Sequence, residues 1–131
     1  MIGIDTNVLL RCFIDDEPAQ AAAARRLLEL CERRREPVFV STTALSETLW
    51  VLQSRYRRSR AELLDLVEHL LEIPVFRLES ADAIRAALIA ARSHKGSLTD
   101  HLIGHIGLAN GCSATATFDA GLHSAPGFRR L

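Results

Sequence analysis

Four carboxylates stand alone along this chain. Asp5 is the one charged side chain in residues 1–10, Glu47 the one in 37–54, and Asp100 and Asp119 the two in 96–128, with His taken as neutral. Every Arg and Lys lies outside those three windows. A carboxylate set among apolar and small residues is expected to be partly buried. Burying it unpaired is costly, so it takes a partner or a metal. With no basic residue nearby in sequence, a divalent cation is the natural group to hold the four together. Carboxylates crowded without a cation repel one another and their pKa values rise. All-oxygen donor sets suit hard cations such as Mg²⁺ or Mn²⁺ rather than Zn²⁺, and Mg²⁺ keeps several waters and accepts substrate phosphate oxygens. Two such ions can activate a water and neutralise the leaving oxygen in an in-line displacement, the logic of metal-dependent phosphodiester hydrolysis.

Each acid also has an ordinary structural reading. Asp5 before Thr6-Asn7 can cap a helix or form a turn, Asp100 can serve the first turn of its helix, and Asp119 before Ala-Gly can be a turn acid. Glu47, alone in an uncharged stretch, has no obvious surface role. The coincidence of all four positions favours a site.

The elements that must carry these acids alternate. Met1–Ile4 reads as a short buried strand ending at Asp5. Pro18 opens a helix after Asp15-Asp16-Glu17, with Ala24, Leu27, Leu28 and Cys31 at helical spacing to about Arg35. Val38–Val40 is a second strand, and Ser41–Thr43 can cap a helix through Glu47 to about Arg55. Arg57–Arg60 is a basic link before a helix marked by Leu63, Leu64, Val67, Leu70 and Leu71. Pro74–Leu78 is a third strand candidate. Ser80 caps a helix with Ile84, Ala87, Leu88 and Ala91 on one face. Gly96-Ser97 breaks the chain, Thr99 can cap the next helix to near Gly111, Ala114–Phe118 is a fourth strand, and the tail can hold a fifth. Apolar strands alternating with helices argue a parallel sheet covered on both faces. Ligands of such sheets bind at the carboxyl ends of the strands, where Asp5 and Asp119 fall and where Glu47 and Asp100 can reach.

Composition narrows the class. At 131 residues, 48% hydrophobic and 24% charged, the chain fits one globular domain, 1–131, with neither linker nor repeat. Net charge is zero, so any nucleic-acid binding must come from a local patch. Three cysteines, Cys12, Cys31 and Cys112, have no metal-type spacing and read as reduced thiols. There is no charged leader and no bilayer-length apolar run, so a cytoplasmic protein without membrane contact is expected.

Met-Ile-Gly-Ile-Asp-Thr-Asn-Val-Leu-Leu-Arg at 1–11 resembles the opening of a PIN domain. Ser46-Glu47 in an apolar helix resembles the second acid of that family. Thr99-Asp100, with small residues trailing to Cys112, resembles the third, and Thr117-Phe118-Asp119 the fourth. Order, spacing and length are most similar to the toxin component of VapBC toxin–antitoxin modules, over essentially the whole chain. The resemblance implies an α/β, PIN-like three-layer sandwich with a central parallel sheet of about five strands flanked by helices. It implies an endoribonuclease dependent on Mg²⁺ or Mn²⁺, with Asp5, Glu47, Asp100 and Asp119 as catalytic metal-binding tetrad. Asp5 and Asp100 are its surest ligands, and the fourth acid often acts through water. Thr6 and Asn7 would orient Asp5, and Thr117 would orient Asp119. Implied partners are an RNA substrate, a VapB-type antitoxin whose C-terminal segment covers the pocket, and a second copy in a homodimer.

Other residues have two readings. Arg55, Arg57, Arg58 and Arg60, with Arg11, can contact RNA or an antitoxin, or the cluster can be a solvated helix end. His94 and Lys95 can flank the pocket mouth. Gly104, Gly107 and Gly111 share a helix face with Asp100, read as tight packing. His101 and His105 do not share that face and read as exposed or hydrogen-bonded. Trp50 reads as core, or as part of a groove for an antitoxin helix. A haloacid-dehalogenase-type phosphatase would need a second Asp where Asn7 stands, and a receiver would need paired acids at the first strand end. A housekeeping RNA-processing nuclease and a metal-free PIN-like interaction module are the remaining alternatives.

Overall fold

A computed structural model describes residues 1–131. Its elements are β1 (Ile2–Ile4), α1 (Thr6–Arg11), α2 (Pro18–Arg34), β2 (Val38–Val40), α3 (Thr42–Ser54), α4 (Arg60–Glu72), β3 (Phe76–Leu78), α5 (Ala81–Ser93), α6 (Leu98–Ala109), β4 (Thr115–Thr117), a 3₁₀ turn (Ala120–Leu122) and β5 (Phe128–Arg130). They form two compact units. The first comprises Met1–Arg58 and His69–Glu79, the second Ser59–Glu68 and Ser80–Leu131. All strand pairs are parallel, as expected. Hydrogen bonding groups the five strands as three and two, one sheet in each unit, in place of one continuous ladder.

In the first unit the sheet order is β1-β2-β3, with Ile4, Val40 and Leu78 in register at the carboxyl edge. Chain direction therefore delivers Asp5 to that edge. Asp5 then caps α1, its Oδ1 accepting from Val8 N at 2.9 Å. α1 packs on α2 and α3. Leu9, Leu45 and Leu52 are fully buried there, each stabilising by roughly 1.5–3 kcal/mol. Pro18 opens α2, and Arg35 ends it in the left-handed region at φ 53°. Ser41 caps α3 by accepting from Ala44 N. Glu79, just past β3, accepts from Thr42 N at 2.7 Å and Thr42 Oγ1 at 3.0 Å, tying a strand end to the start of α3.

In the second unit α5 packs along α6 and α6 lies against β4. The spacing read for α5 holds, with Ile84, Ala87, Leu88 and Ala91 all buried. Its cap does not. Ser80 stands at the N-cap position with φ 54° and its side chain makes no capping bond. The cap of α6 is also shifted: Ser97, not Thr99, accepts from Asp100 N, and Asp100 Oδ2 accepts from Ser97 N, a capping box. Gly104 and Gly107 of α6 are tight packing, as read, whereas Gly111 lies past the helix end at φ 89° and a Cβ there would meet nothing within 4 Å, so it is no part of that face. A Cβ on Gly104 would lie 2.7 Å from the Phe128 ring, and one on Gly107 2.9 Å from Thr115 Oγ1. No helix is long and apolar enough to cross a membrane.

Candidate active site

The structure gathers the four acids as two pairs, one in each unit. In the first unit Thr6 Oγ1 donates to Glu47 Oε2 at 2.8 Å. This bond joins the first residue of α1, next to Asp5, to the middle of α3. Thr6 thus serves Glu47, whereas Asp5 is oriented by the amide of Val8 in its own helix. Asn7 lines a cleft of about 340 Å³ between α1 and α2 together with Asp5, Arg11, Gln20, Ala24 and Leu27. Arg11 is tied down at its far end. It pairs with Asp16 and donates to Gln20 Oε1, while Tyr56 donates to Asp16 at 2.6 Å. The Tyr56 hydrogen bond, and then the Arg11 charge, hold the Asp16 carboxyl below its ordinary range. Tyr56 is a residue the sequence reading passed over. Nothing in its local sequence marks a partner 40 positions away.

In the second unit Asp100 and Asp119 meet around the Lys95–Gly96 turn. Gly96 adopts φ +103°, a conformation that L side chains rarely take. A Cβ there would lie 3.5 Å from Asp100 Oδ2 and 2.6 Å from Leu122 of the 3₁₀ turn. Asp119 caps that 3₁₀ turn, accepting from Gly121 N at 2.8 Å, and its own amide donates to Thr117 Oγ1 at 3.0 Å. Thr117 therefore holds Asp119 through the backbone. His101, fully buried, contacts Lys95 O through Nε2 at 2.8 Å. Arg60 caps the same turn, donating to the carbonyls of Ala91, His94 and Gly96. The basic cluster is thus not uniform. Arg60 is spent on carbonyls, while Arg55 ends α3 and Arg57 takes φ 51°.

The expected partial burial holds for Asp100 alone. Asp5, Glu47 and Asp119 are exposed and Asp100 is half-buried. Their apolar neighbours are the buried ones: Leu45, Thr48 and Leu49 face the core and helical rotation turns Glu47 outward. The same rotation exposes Trp50, 66% accessible, so the core reading of Trp50 is wrong. None of the four acids is ion-paired; the chain's ion pairs lie elsewhere. No three His, Cys, Asp or Glu side chains stand together in a way that could hold a metal ion. The donors around each pair are carboxylate, hydroxyl and carbonyl oxygens. The Cys12 thiol is pushed up to about 11 by burial, which disfavours the thiolate a metal would need, and the ring of His101 is engaged through Nε2 with Lys95 O. Such a donor set fits a hard cation that retains water.

Parallel strands delivering acids to their carboxyl ends, with helices supplying the others, are what a PIN domain contains. The model of the PIN domain family matches residues 2–127, and the chain belongs to that family. It is similar to a VapC ribonuclease of Aquifex aeolicus (strain VF5), with 26% identity over 99 residues, 76% of this chain and 73% of that protein.

Proposed function

We propose that the chain is a Mg²⁺- or Mn²⁺-dependent endoribonuclease and the toxin of a type II toxin–antitoxin pair, acting on RNA in the cytoplasm. Residues 1–131 then serve as one functional domain whose catalytic set is Asp5, Glu47, Asp100 and Asp119. The observation that carries this reading is that the family match spans all four acids, and none of them is neutralised by an Arg or Lys. Asp5 and Asp100 would each serve as metal ligands, with Glu47 and Asp119 completing the set, directly or through water. A bound cation of this type supplies an activated water and neutralises charge on the leaving oxygen. The chain's own residues do the positioning. Thr6 fixes the rotamer of Glu47, the Val8 amide fixes Asp5, the Ser97 box fixes Asp100, and Gly121 and Thr117 fix Asp119. A VapB-type antitoxin and a second copy of the chain are the partners this reading implies, and exposed Trp50 on α3 offers surface for one of them.

Cleavage of total RNA by purified protein, with Mg²⁺ or Mn²⁺ and with EDTA, tests the reading beside Asp5→Ala prepared identically. Cutting that needs metal and is lost in Asp5→Ala is the expected result. Metal-independent cutting, or cutting retained by Asp5→Ala, would overturn it.

A further inference from the structure

We propose that Lys95, the single lysine of the chain, binds a substrate phosphate beside Asp100 and Asp119. The inference rests on the nuclease reading and adds a residue to it. Three observations meet at this position.

The first is placement. The Lys95 Cβ lies 3.9 Å from where a Cβ on Gly121 would stand, and Gly121 N holds the Asp119 carboxylate at 2.8 Å. The next residue, Gly96, borders Asp100 Oδ2. The root of the Lys95 side chain therefore lies between the segments that carry the two acids of the second unit. The second is rigidity of the backbone that carries it. Lys95 O is engaged by buried His101, the carbonyls of His94 and Gly96 by Arg60, and Gly96 itself is held at φ +103°. The carbonyls of His94, Lys95 and Gly96 are thus all held by side chains from α4 and α6. The third is the state of the ammonium group. Lys95 is exposed and its ammonium forms neither ion pair nor hydrogen bond within the chain.

A cation on a flexible four-carbon stem, rooted in a fixed turn and left unpaired next to metal-binding carboxylates, suits an anion that arrives with the metal. An RNA phosphate is that anion. Lysine binds phosphate as a point charge and leaves the carboxylates to the cation. Arg60 and His101 act as positioning residues, since they hold the turn and not the ligand.

The test is single-turnover cleavage of total RNA in Mn²⁺ by the whole chain, with rate followed against protein concentration at several salt concentrations. Wild type, Lys95→Met, Lys95→Arg and Asp100→Asn are compared. Lys95→Met is expected to raise the half-saturating concentration roughly tenfold, the low end for a hydrogen bond to a charged group. It should also make the dependence of log affinity on log salt shallower by about 0.7, the loss of one single-strand phosphate contact. Lys95→Arg should restore both, with the melting temperature unchanged throughout. A merely structural Lys95 would shift melting or maximal rate and leave the salt slope alone. Wild-type half-saturation and salt slope in Lys95→Met would overturn the proposal while the nuclease reading stands, provided Asp100→Asn is inactive. If Asp100→Asn cuts like wild type, or wild type does not cut, the nuclease reading itself fails and this proposal fails with it.

Discussion

The two units each carry a pair of acids, and they hold them by different means. In the first, Glu47 is fixed by a side-chain bond from Thr6, 41 residues away, so the pair depends on α1 and α3 being docked. In the second, Asp100 and Asp119 are both satisfied by their own local backbone, within three residues, and are brought together by a turn that only Gly96 accommodates. The first pair is joined by a tertiary side-chain bond, and the second consists of two locally held acids that approach one turn, where Gly96 takes a left-handed φ. Buried polar groups differ in the same way. Thr48, fully buried in the first unit, is satisfied by Ala44 O at 2.8 Å, whereas the second unit leaves His101 Nδ1 and His105 Nε2 buried without partners.

The contrast can be broken most strongly at Asp100. Asn in its place retains an oxygen that can accept from Ser97 N, so the capping box and the melting temperature should survive while the charge is lost. RNA cleavage in Mn²⁺ should fall at least roughly a hundredfold, beyond the ten- to hundredfold typical of groups that only orient a ligand. Full activity with an intact fold would show that the acid serves its helix alone. Next in size is Gly96→Ala. Its left-handed φ and the 2.6 Å approach to Leu122 should cost about 2 kcal/mol in urea unfolding, with cleavage reduced because Asp100 and Asp119 lose their common turn. An unchanged unfolding midpoint would mean that the turn is not the joint of the second pair.

How far these arrangements were legible in the sequence follows the same division. The α5 stripe and the Pro18 start of α2 were readable because helical period and proline geometry act locally. The capping box Ser97-x-x-Asp100 was readable too, yet Thr99 competes with Ser97 as a cap former, and only the extended φ/ψ of Ser97 decides between them. Burial of Glu47 was misjudged because apolar neighbours in sequence are not neighbours on a helix. Glu47 and Trp50 sit between Leu45, Leu49 and Leu52 but point away from them. The carbonyl clamp of Arg60 and the Thr6–Glu47 bond were invisible, since both join residues more than 30 positions apart and no period or spacing encodes such a partner.

A smaller effect sharpens the tertiary half of the contrast. Thr6→Val keeps the shape of the side chain and removes the hydroxyl that fixes Glu47. Cleavage should fall about tenfold with little change in stability, as for a group that orients a ligand and does not itself bind. Thr117→Val, which removes an acceptor from the Asp119 backbone and not from a carboxylate, should lose less. Equal losses in the two variants would erase the distinction between the pairs.

The smallest effect concerns the orphaned ring nitrogen of His105. Burial lowers the His105 pKa, and nearby His101 adds to the shift. A folded-state pKa below the unfolded value near 6.5 means that the unfolded chain binds more protons as the solution is acidified. Stability is therefore full above about pH 6.5 and is lost as pH falls from there through the folded value. His105→Leu removes both the unsatisfied nitrogen and this titration. At pH 7.5 it should stabilise by about 1 kcal/mol, because an apolar group replaces a buried polar atom that has no partner. Between pH 6.5 and 5 its melting temperature should decline less steeply than that of wild type, with the remaining slope owed in part to His101, which burial shifts in the same direction. A destabilised variant with an unchanged pH slope would mean that His105 Nε2 has a partner in solution, and would leave His101 Nδ1 as the one orphaned group of the second unit.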